Sequence, residues 1–470
     1  MLAGILLSLR QELIVTGILF LLLVMKVSAM EYKAGVFLNI VNLLLLANFI
    51  LGLWGGPDAT AFSGMFHTNR LIVLEKNMLN LATLIVSLTA YDWLKGYRQA
   101  PEFYMLLLAT LTGFFFMISA GHLLIFYLGL ELSTIPLAAL SGFELEKRQS
   151  SEAGMKFILS SAFASALLLL GISLLYGATG TLGFDTIAAR LDGSAFQLFA
   201  FILILAGFAF KLSTVPFHLW TADVYEGSPV AVTAYLSVVS KGAVFFIFVQ
   251  AMYVVFKPMA GSWYKILVLL SVLTMVIGNL FALRQEKLKR LLAFSSIAQS
   301  GFILAGVIGS SRMGEASVVY FILVYIFSNL GAFGVVALIS AQTGRESIDD
   351  YRGLYATNPV LCWVMAISLF SLAGIPPTAG FFGKLFLLMA GAGKGNYVFI
   401  VIAALNMVIS LYYYLRLVKA MFMDSQPQPI GPLKIAPLPN LGLMICVAGI
   451  VVTGLMGWVY DYIYSLSIGV

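Results

Sequence analysis

The chain reads as an all-α polytopic membrane protein of about 14 transmembrane helices, with two inverted five-helix repeats and two discontinuous helices. Three observations lead there. Of its 470 residues, 61% are hydrophobic and only 10% charged, against roughly 25% charged in a soluble domain, and the mean hydropathy is +0.99. The apolar residues fall into runs of about 20, the length that carries a helix across a hydrocarbon layer. Two of those runs are interrupted by proline with a lysine beside the break, near Pro216 and near Pro376 and Pro377.

Taken in order, the runs between charged or Pro/Gly breaks cover residues 13–27, 34–54, 71–91, 103–119, 123–141 and 157–176. The first is read as a retained helix, because no secretory cleavage pattern stands out beside it. Runs at 196–216, 230–256, 266–283 and 291–309 follow, then 316–341, 360–390, 397–421 and 441–463. Threading these spans back and forth places about 15 of the 27 lysines and arginines on one side of the membrane and about 7 on the other. The basic side is the cytoplasmic one, so the expectation is that both termini lie on the outer side. The sequence pI near 9.1 is then a property of loop ends and implies no nucleic acid. Cys362 and Cys446 sit in apolar runs and read as core packing rather than a disulfide or metal pair.

Five lysines belong to neither loop set: Lys76, Lys156, Lys211, Lys241 and Lys384. A lysine well inside a span costs about 2.5–3.5 kcal/mol on insertion scales and faces a bundle interior or a wet cavity. Lys76 follows Glu75 near the start of its run and reads as a snorkelled pair. Lys156 stands at the mouth of its run, where snorkelling and burial are both open. Lys241 lies deep within "AYLSVVSKGAVFFIF". Among the acids, Glu131 is the one well inside a clear apolar run, "HLLIFYLGLELSTIPLAAL". Its natural partner from sequence is Lys156, either as a switchable pair whose charge is felt at Lys211 or as a static ion pair.

Residues 195–210 hold no charge, and then come Lys211, Pro216 and His218. A proline removes a backbone hydrogen bond and clashes with the preceding turn. Irregular backbone at membrane depth is tolerated only where it is enclosed by protein or lines a wet cavity. Burial disfavours a charged ammonium, so a lysine beside such a break can give up and retake a proton. His218, seven residues on, would lie on the same face if the helix continued and could pass a proton toward Lys241. "SLAGIPPTAGFFGK" repeats the theme with the order reversed, Lys384 following its prolines. Reversed order is what inverted repeats produce, the alternative being two unrelated proline kinks. We place the repeats at about residues 102–256 and 264–422 of a single domain spanning 1–470, with flanking helices at both ends.

At this point the residues resemble a known family. "FKLSTVPFHLWTADVYEGSPVAVTAYLSVVSKGAVF", "LELSTIPLAALSGF", "LKRLLAFSSIAQSGFILAG" and "SLAGIPPTAGFFGKLFLL" are similar to the N-type antiporter-like subunits of proton-pumping NADH:quinone oxidoreductase, respiratory complex I. "DVYEGSP" and Lys384 favour the N type, and the lack of a long lateral helix argues against the L type. The resemblance implies a 14-helix fold with two inverted repeats and a proton relay through Glu131, Lys156, Lys211, His218, Lys241 and Lys384. It implies no cofactor in this chain, with NAD, FMN, iron–sulfur clusters and quinone in partner subunits. The implied partners are the other membrane-arm subunits, including neighbouring antiporter-like and small membrane subunits, and the lipid bilayer. One departure stands out: Gln299 occupies a position where the family often has histidine, and glutamine can hold a water chain but cannot titrate.

The sequence carries no GxGxxG after a strand, no Walker loop, no CxxC cluster and no spaced histidine pair. His67, His122 and His218 are scattered. Two other readings remain open from the residues: a subunit of a multi-subunit cation/proton antiporter, and a scaffold whose charges only fix helix packing.

Overall fold

Inside a hydrocarbon layer every backbone polar group must be satisfied within the protein, which leaves helices as the economical solution. The computed structural model describes residues 6–28, 33–56 and 58–467, and these are helical almost throughout. The chain opens with α1 (Arg10–Val27) and α2 (Ala34–Gly52), followed by a hairpin of β1 (Ala59–Ala61) and β2 (Phe66–Thr68). The strands are antiparallel, with Ala59 opposite Thr68 and Ala61 opposite Phe66. Single bridges tie Phe66 to Ala120 and His122 to Gly183, so the hairpin lies across the ends of the next helices. These are α3 (Arg70–Thr89), α4 (Ala100–Ile118), α5 (Leu123–Ser141) and α6 (Arg148–Thr179).

The first interruption follows. Helix α7 (Ala195–Lys211) stops short, and α8 (Leu219–Gly227) resumes after it. Then come α9 (Val230–Val255), α10 (Ala260–Ala282), α11 (Leu288–Ile308) and α12 (Arg312–Thr343). The second interruption separates α13 (Pro359–Ala373) from α14 (Ala379–Ala392), and α15 (Tyr397–Phe422), α16 (Pro437–Leu455) and α17 (Trp458–Leu466) complete the described chain. Among the described residues, 11 helices are long and apolar enough to cross a membrane, or 12 if the bent segment before α13 is joined to it. α7 and α14 are apolar but shorter.

Local sequence sets the helix ends. Asn69, Ser194, Ser311 and Asn396 accept hydrogen bonds from backbone N–H groups of the first turns of α3, α7, α12 and α15, filling donors that a helix start leaves open. α6 and α12 are each 32 residues long, and each stops at a left-handed glycine, Gly180 (φ 66°) and Gly344 (φ 70°). Only glycine reaches that conformation without steric cost.

Small residues let helices meet closely. A Cβ on Gly129 of α5 would stand 2.6 Å from the Met117 backbone nitrogen of α4, and one on Gly301 of α11 would stand 2.8 Å from the Met275 nitrogen of α10. Such close seams are the membrane solution to helix association, where lipid supplies no hydrophobic drive. α11 is buried apart from Arg290, with α3, α9 and α12 nearly so.

The predicted runs locate the helices but misplace several ends. α6 begins at Arg148 rather than near 157, so its first two turns are polar and project beyond the apolar run. The run at 360–390 is two helices. The reading of Lys76 as a snorkelled residue is wrong: it is 1% exposed and paired with Glu12, itself 2% exposed. Glu12 and Glu75 are therefore buried alongside Glu131's helix bundle, and Glu131 is not the single acid inside the protein. The counter-ion that holds Lys76 comes from α1, 64 residues away, and no local pattern announces it. Cys362 and Cys446 are buried and unbridged, as read from the sequence.

Candidate functional site

Both interruptions leave a lysine beside exposed helix ends. A helix terminus has backbone groups without intrahelical partners. At the first break, Phe210 O accepts from the Trp220 indole at 3.1 Å, and Val215 N donates to Thr274 Oγ1 at 3.0 Å. At the second, α13 ends on Gly374 at φ 85°. The freed carbonyls of Leu372 and Ala373 accept from Lys384 Nζ at 2.7 and 3.3 Å. The Val215–Pro216 and Pro376–Pro377 peptides are both cis.

Lys211 Nζ donates to Thr134 Oγ1 of α5 at 2.5 Å and to Ser161 Oγ of α6 at 2.9 Å. The Phe157 and Phe210 rings stand 5.7 and 5.9 Å from it, within the range of a cation–π contact. Thr134 is one turn beyond Glu131, which brings that carboxylate within electrostatic reach of Lys211. Glu131 Oε1 is buried with no hydrogen-bond partner among the described residues.

The expected pairing of Glu131 with Lys156 does not form. Lys156 is 43% exposed and bridges Glu152 at 2.7 Å and Asp223 at 2.8 Å. Because α6 starts early, Lys156 lies in its third turn and faces α8. The break at Pro216 lets α8 present Asp223 and Glu226 there. Arg290 of α11 joins both, at 3.0 and 2.7 Å, and Lys287 reaches Glu226 at 2.6 Å. Glu152, Lys156, Asp223, Glu226 and Arg290 line a small charged cavity of about 170 Å³.

His218 is buried and precedes α8, and its ring meets the Pro216 backbone. Its Nδ1 has no hydrogen-bond partner among the described residues. No hydrogen bond joins it to Lys211 or Lys241, because the chain turns at the break instead of continuing the face that sequence spacing assumed.

Lys241 sits where α9 leaves a π segment, Leu236–Ser240, a distortion frequent at functional sites. Its Nζ donates to Ser296 Oγ of α11 at 2.7 Å, with the Tyr225 ring 5.7 Å away. The Tyr225 and Tyr325 hydroxyls are close to the same Ser296. One turn along α11, Gln299 Nε2 donates to Leu372 O at 2.9 Å and to Tyr414 OH at 3.3 Å. Leu372 O is also the acceptor of Lys384. α11 therefore links Lys241 to Lys384 through Ser296 and Gln299. Gln299 Oε1 has no donor among the described residues, so a buried acceptor remains open between the two lysines.

A second cavity, about 380 Å³, lies at the basic ends of the helices between Asp92, Tyr97, Glu144, Lys289, Glu346 and the start of α9. Among the described residues no group of three or more His, Cys, Asp or Glu is placed to hold a metal ion.

The family model described as "NADH:quinone oxidoreductase/Mrp antiporter, TM" matches residues 120–410. NADH-quinone oxidoreductase subunit N of Phocaeicola vulgatus is 48% identical over 430 residues, 91% of each chain. The chain belongs to the N-type antiporter-like membrane subunits of NADH-quinone oxidoreductase. As an N-type subunit it is part of the respiratory complex I assembly and a multi-pass protein of its membrane arm. A chain of respiratory complex I from Thermus thermophilus superposes with a TM-score of 0.83 at 29% identity, covering 96% of this chain and 98% of that one. A chain of the Mrp complex from a Dietzia species gives a TM-score of 0.86 at 21% identity, over 98% and 97% of the two chains, which shows a common fold and nothing finer.

Sequence reading of this N-type subunit missed Thr134, Ser161, Ser296 and Tyr414. Each is a hydroxyl in or beside an apolar run. Thr134 lies three residues from Glu131, which was the one available signal.

Proposed function

We propose that this subunit translocates protons across the membrane in response to NADH oxidation and quinone reduction in its partner subunits. The observation that supports this most is the environment of Lys211, Lys241 and Lys384. All three are buried, each is held by hydroxyls or backbone carbonyls, and none is ion-paired to a carboxylate among the described residues. A permanent ammonium so placed is expensive. A lysine that cycles between ammonium and amine carries that cost only part of the time.

The proposed relay runs from Glu131 to Lys211, past His218 to Lys241, and through the Ser296 and Gln299 turn of α11 to Lys384. A change in a neighbouring subunit alters the charge or position of Glu131. At an effective dielectric of 20, a unit charge at about 4 Å is worth about 4 kcal/mol, enough to make Lys211 release its proton. Lys156 acts from the rim, through Asp223 and α8, rather than by pairing with Glu131.

We place NAD, FMN, the iron–sulfur clusters and quinone in partner subunits, and neighbouring antiporter-like and small membrane subunits beside this one. Counting α1 and each interrupted pair as one span brings the crossings to about 14. Helices α4–α9 and α10–α15 would form the two inverted repeats, at about residues 102–256 and 264–422. The equal lengths of α6 and α12, with glycine ends at the same place, support that pairing. Both termini then lie outside a bacterial inner membrane.

The test is Lys211→Ala in the assembled complex in sealed vesicles. Assembly is expected to survive while pumping and coupled quinone reduction fall sharply. Wild-type pumping and turnover would remove Lys211 from the relay and bring the scaffold reading forward.

A further inference from the structure

Helices α1–α4 carry a second set of buried polar groups that the lysine axis does not use. Glu12 of α1 and Lys76 of α3 form an ion pair away from solvent. Glu75, next to it, is buried and within electrostatic reach of Glu315 at the start of α12. On the outer side the β hairpin lies over this cluster, with the Phe66 ring 5.0 Å from Lys76 Nζ and the Phe115 ring at 5.8 Å.

Toward the basic side, one face of α3 bears Lys76, Asn80, Thr83 and Ser87, three or four residues apart and so stacked along the helix, with Asn77 beside them. Asn80 Oδ1 accepts from Asn48 at 2.7 Å, and Asn80 Nδ2 reaches Asn77 Oδ1 at 3.4 Å. Thr83 lies close to the Tyr235 hydroxyl. Ser87 donates to Asn42 Oδ1 at 2.8 Å and meets Tyr104 OH at 2.7 Å. Next along the chain, Ala90, Asp92 and Trp93 line the cavity of about 380 Å³. From Lys76 to Ser87 the rise is about 16 Å at 1.5 Å per residue.

Three oxygens of α1 and α2 beside the Lys76–Asn80 end of this face, Gln11 Oε1, Glu12 Oε2 and Asn48 Oδ1, have no donor among the described residues, and all three side chains are more than nine-tenths buried. Buried acceptors are almost always satisfied. Water can supply the missing donors, whereas a bound cation would stand against the Lys76 ammonium.

We propose that α1–α4 form a second proton-conducting column, separate from the lysine axis, which runs from the basic-side cavity along α3 to the Glu12–Lys76 pair and is closed outside by the β hairpin. The Lys76 ammonium passes a proton to the Glu12 carboxylate, leaving amine and carboxylic acid. Water along α3 reprotonates the amine, and the acid releases its proton outward when the hairpin lifts. The hairpin is the gate, because an open column would dissipate the proton gradient.

The test uses the assembled complex in sealed vesicles, without NADH, and reads the decay of an imposed pH gradient. Phe66→Ala is expected to speed the decay, and adding Asn80→Leu to restore it. Adding Lys211→Ala instead is expected to leave the leak in place, which separates this column from the proposed lysine relay. A Phe66→Ala complex that holds the gradient like wild type overturns the proposal, as does a leak that disappears with Lys211→Ala. Should Phe66→Ala fail to assemble, Glu12→Leu with Lys76→Met decides. Replacing a buried ion pair by packed apolar residues is often neutral for stability, so a structural pair would be fully replaced and protons pumped per NADH would stay unchanged, which refutes the column. Fewer protons per NADH at retained turnover is the expected result.

Discussion

Ser296 holds Lys241 by the one hydrogen bond its ammonium makes to a described side chain, at 2.7 Å. A hydrogen bond to a charged group contributes about 1.5–3 kcal/mol, and about 1.4 kcal/mol is tenfold in a rate. Ser296→Ala is therefore expected to slow coupled NADH:quinone turnover about tenfold or more, while Ser296→Thr, which keeps the hydroxyl, stays near wild type. Equal turnover in both variants would show that Lys241 does not depend on this contact. The contrast between Lys241 and Ser296 also shows what a sequence discloses. A lysine inside an apolar run is rare because it is costly, so Lys211, Lys241 and Lys384 stand out. A serine there is cheap and common, so Ser161 and Ser296 do not. Lys76 was misread because Glu75 beside it suggested a local pair, while its counter-ion lies on another helix.

At the scale of the element, the seams α4–α5 and α10–α11 rest on glycines whose Cβ positions are already filled by neighbouring backbone. Gly129→Val and Gly301→Val must push their helices apart, at a cost of about 1–3 kcal/mol each. Both are expected to lower the melting temperature of the purified complex in detergent, and by similar amounts if the two five-helix units are equivalent. A loss at one seam with none at the other would count against that equivalence. Hydropathy alone located the apolar runs, and among the described residues 11 helices, or 12 with the bent pair joined, are long and apolar enough to span. Their ends were less legible: capping by Ser194 or Ser311 extends a helix past its apolar run, and the π segments of α9 leave no compositional trace. The β hairpin was missed because its strands are three residues each, too short for an alternating pattern to register.

At the scale of the molecule, the uneven division of lysine and arginine between the two loop sets predicts an orientation that labelling can check. The native cysteines are buried, so a single introduced thiol reports cleanly. Leu145→Cys, in the exposed loop before α6, is expected to react with a membrane-impermeant maleimide only from the cytoplasmic side, and Ala195→Cys, at the start of α7, only from the periplasmic side. The reverse pattern would invert the topology. The two ends of the lysine axis also differ in how they are held. Thr134, Ser161 and Ser296 are side chains, and one codon change removes each from Lys211 or Lys241. Lys384 rests instead on the main-chain carbonyls of Leu372 and Ala373, which every residue type supplies. Changes of side chain at Leu372 or Ala373 leave both acceptors in place so long as α13 still terminates at Ala373, so the hydrogen bonds at this end of the axis present mutation with a small target and those at the other end with a large one.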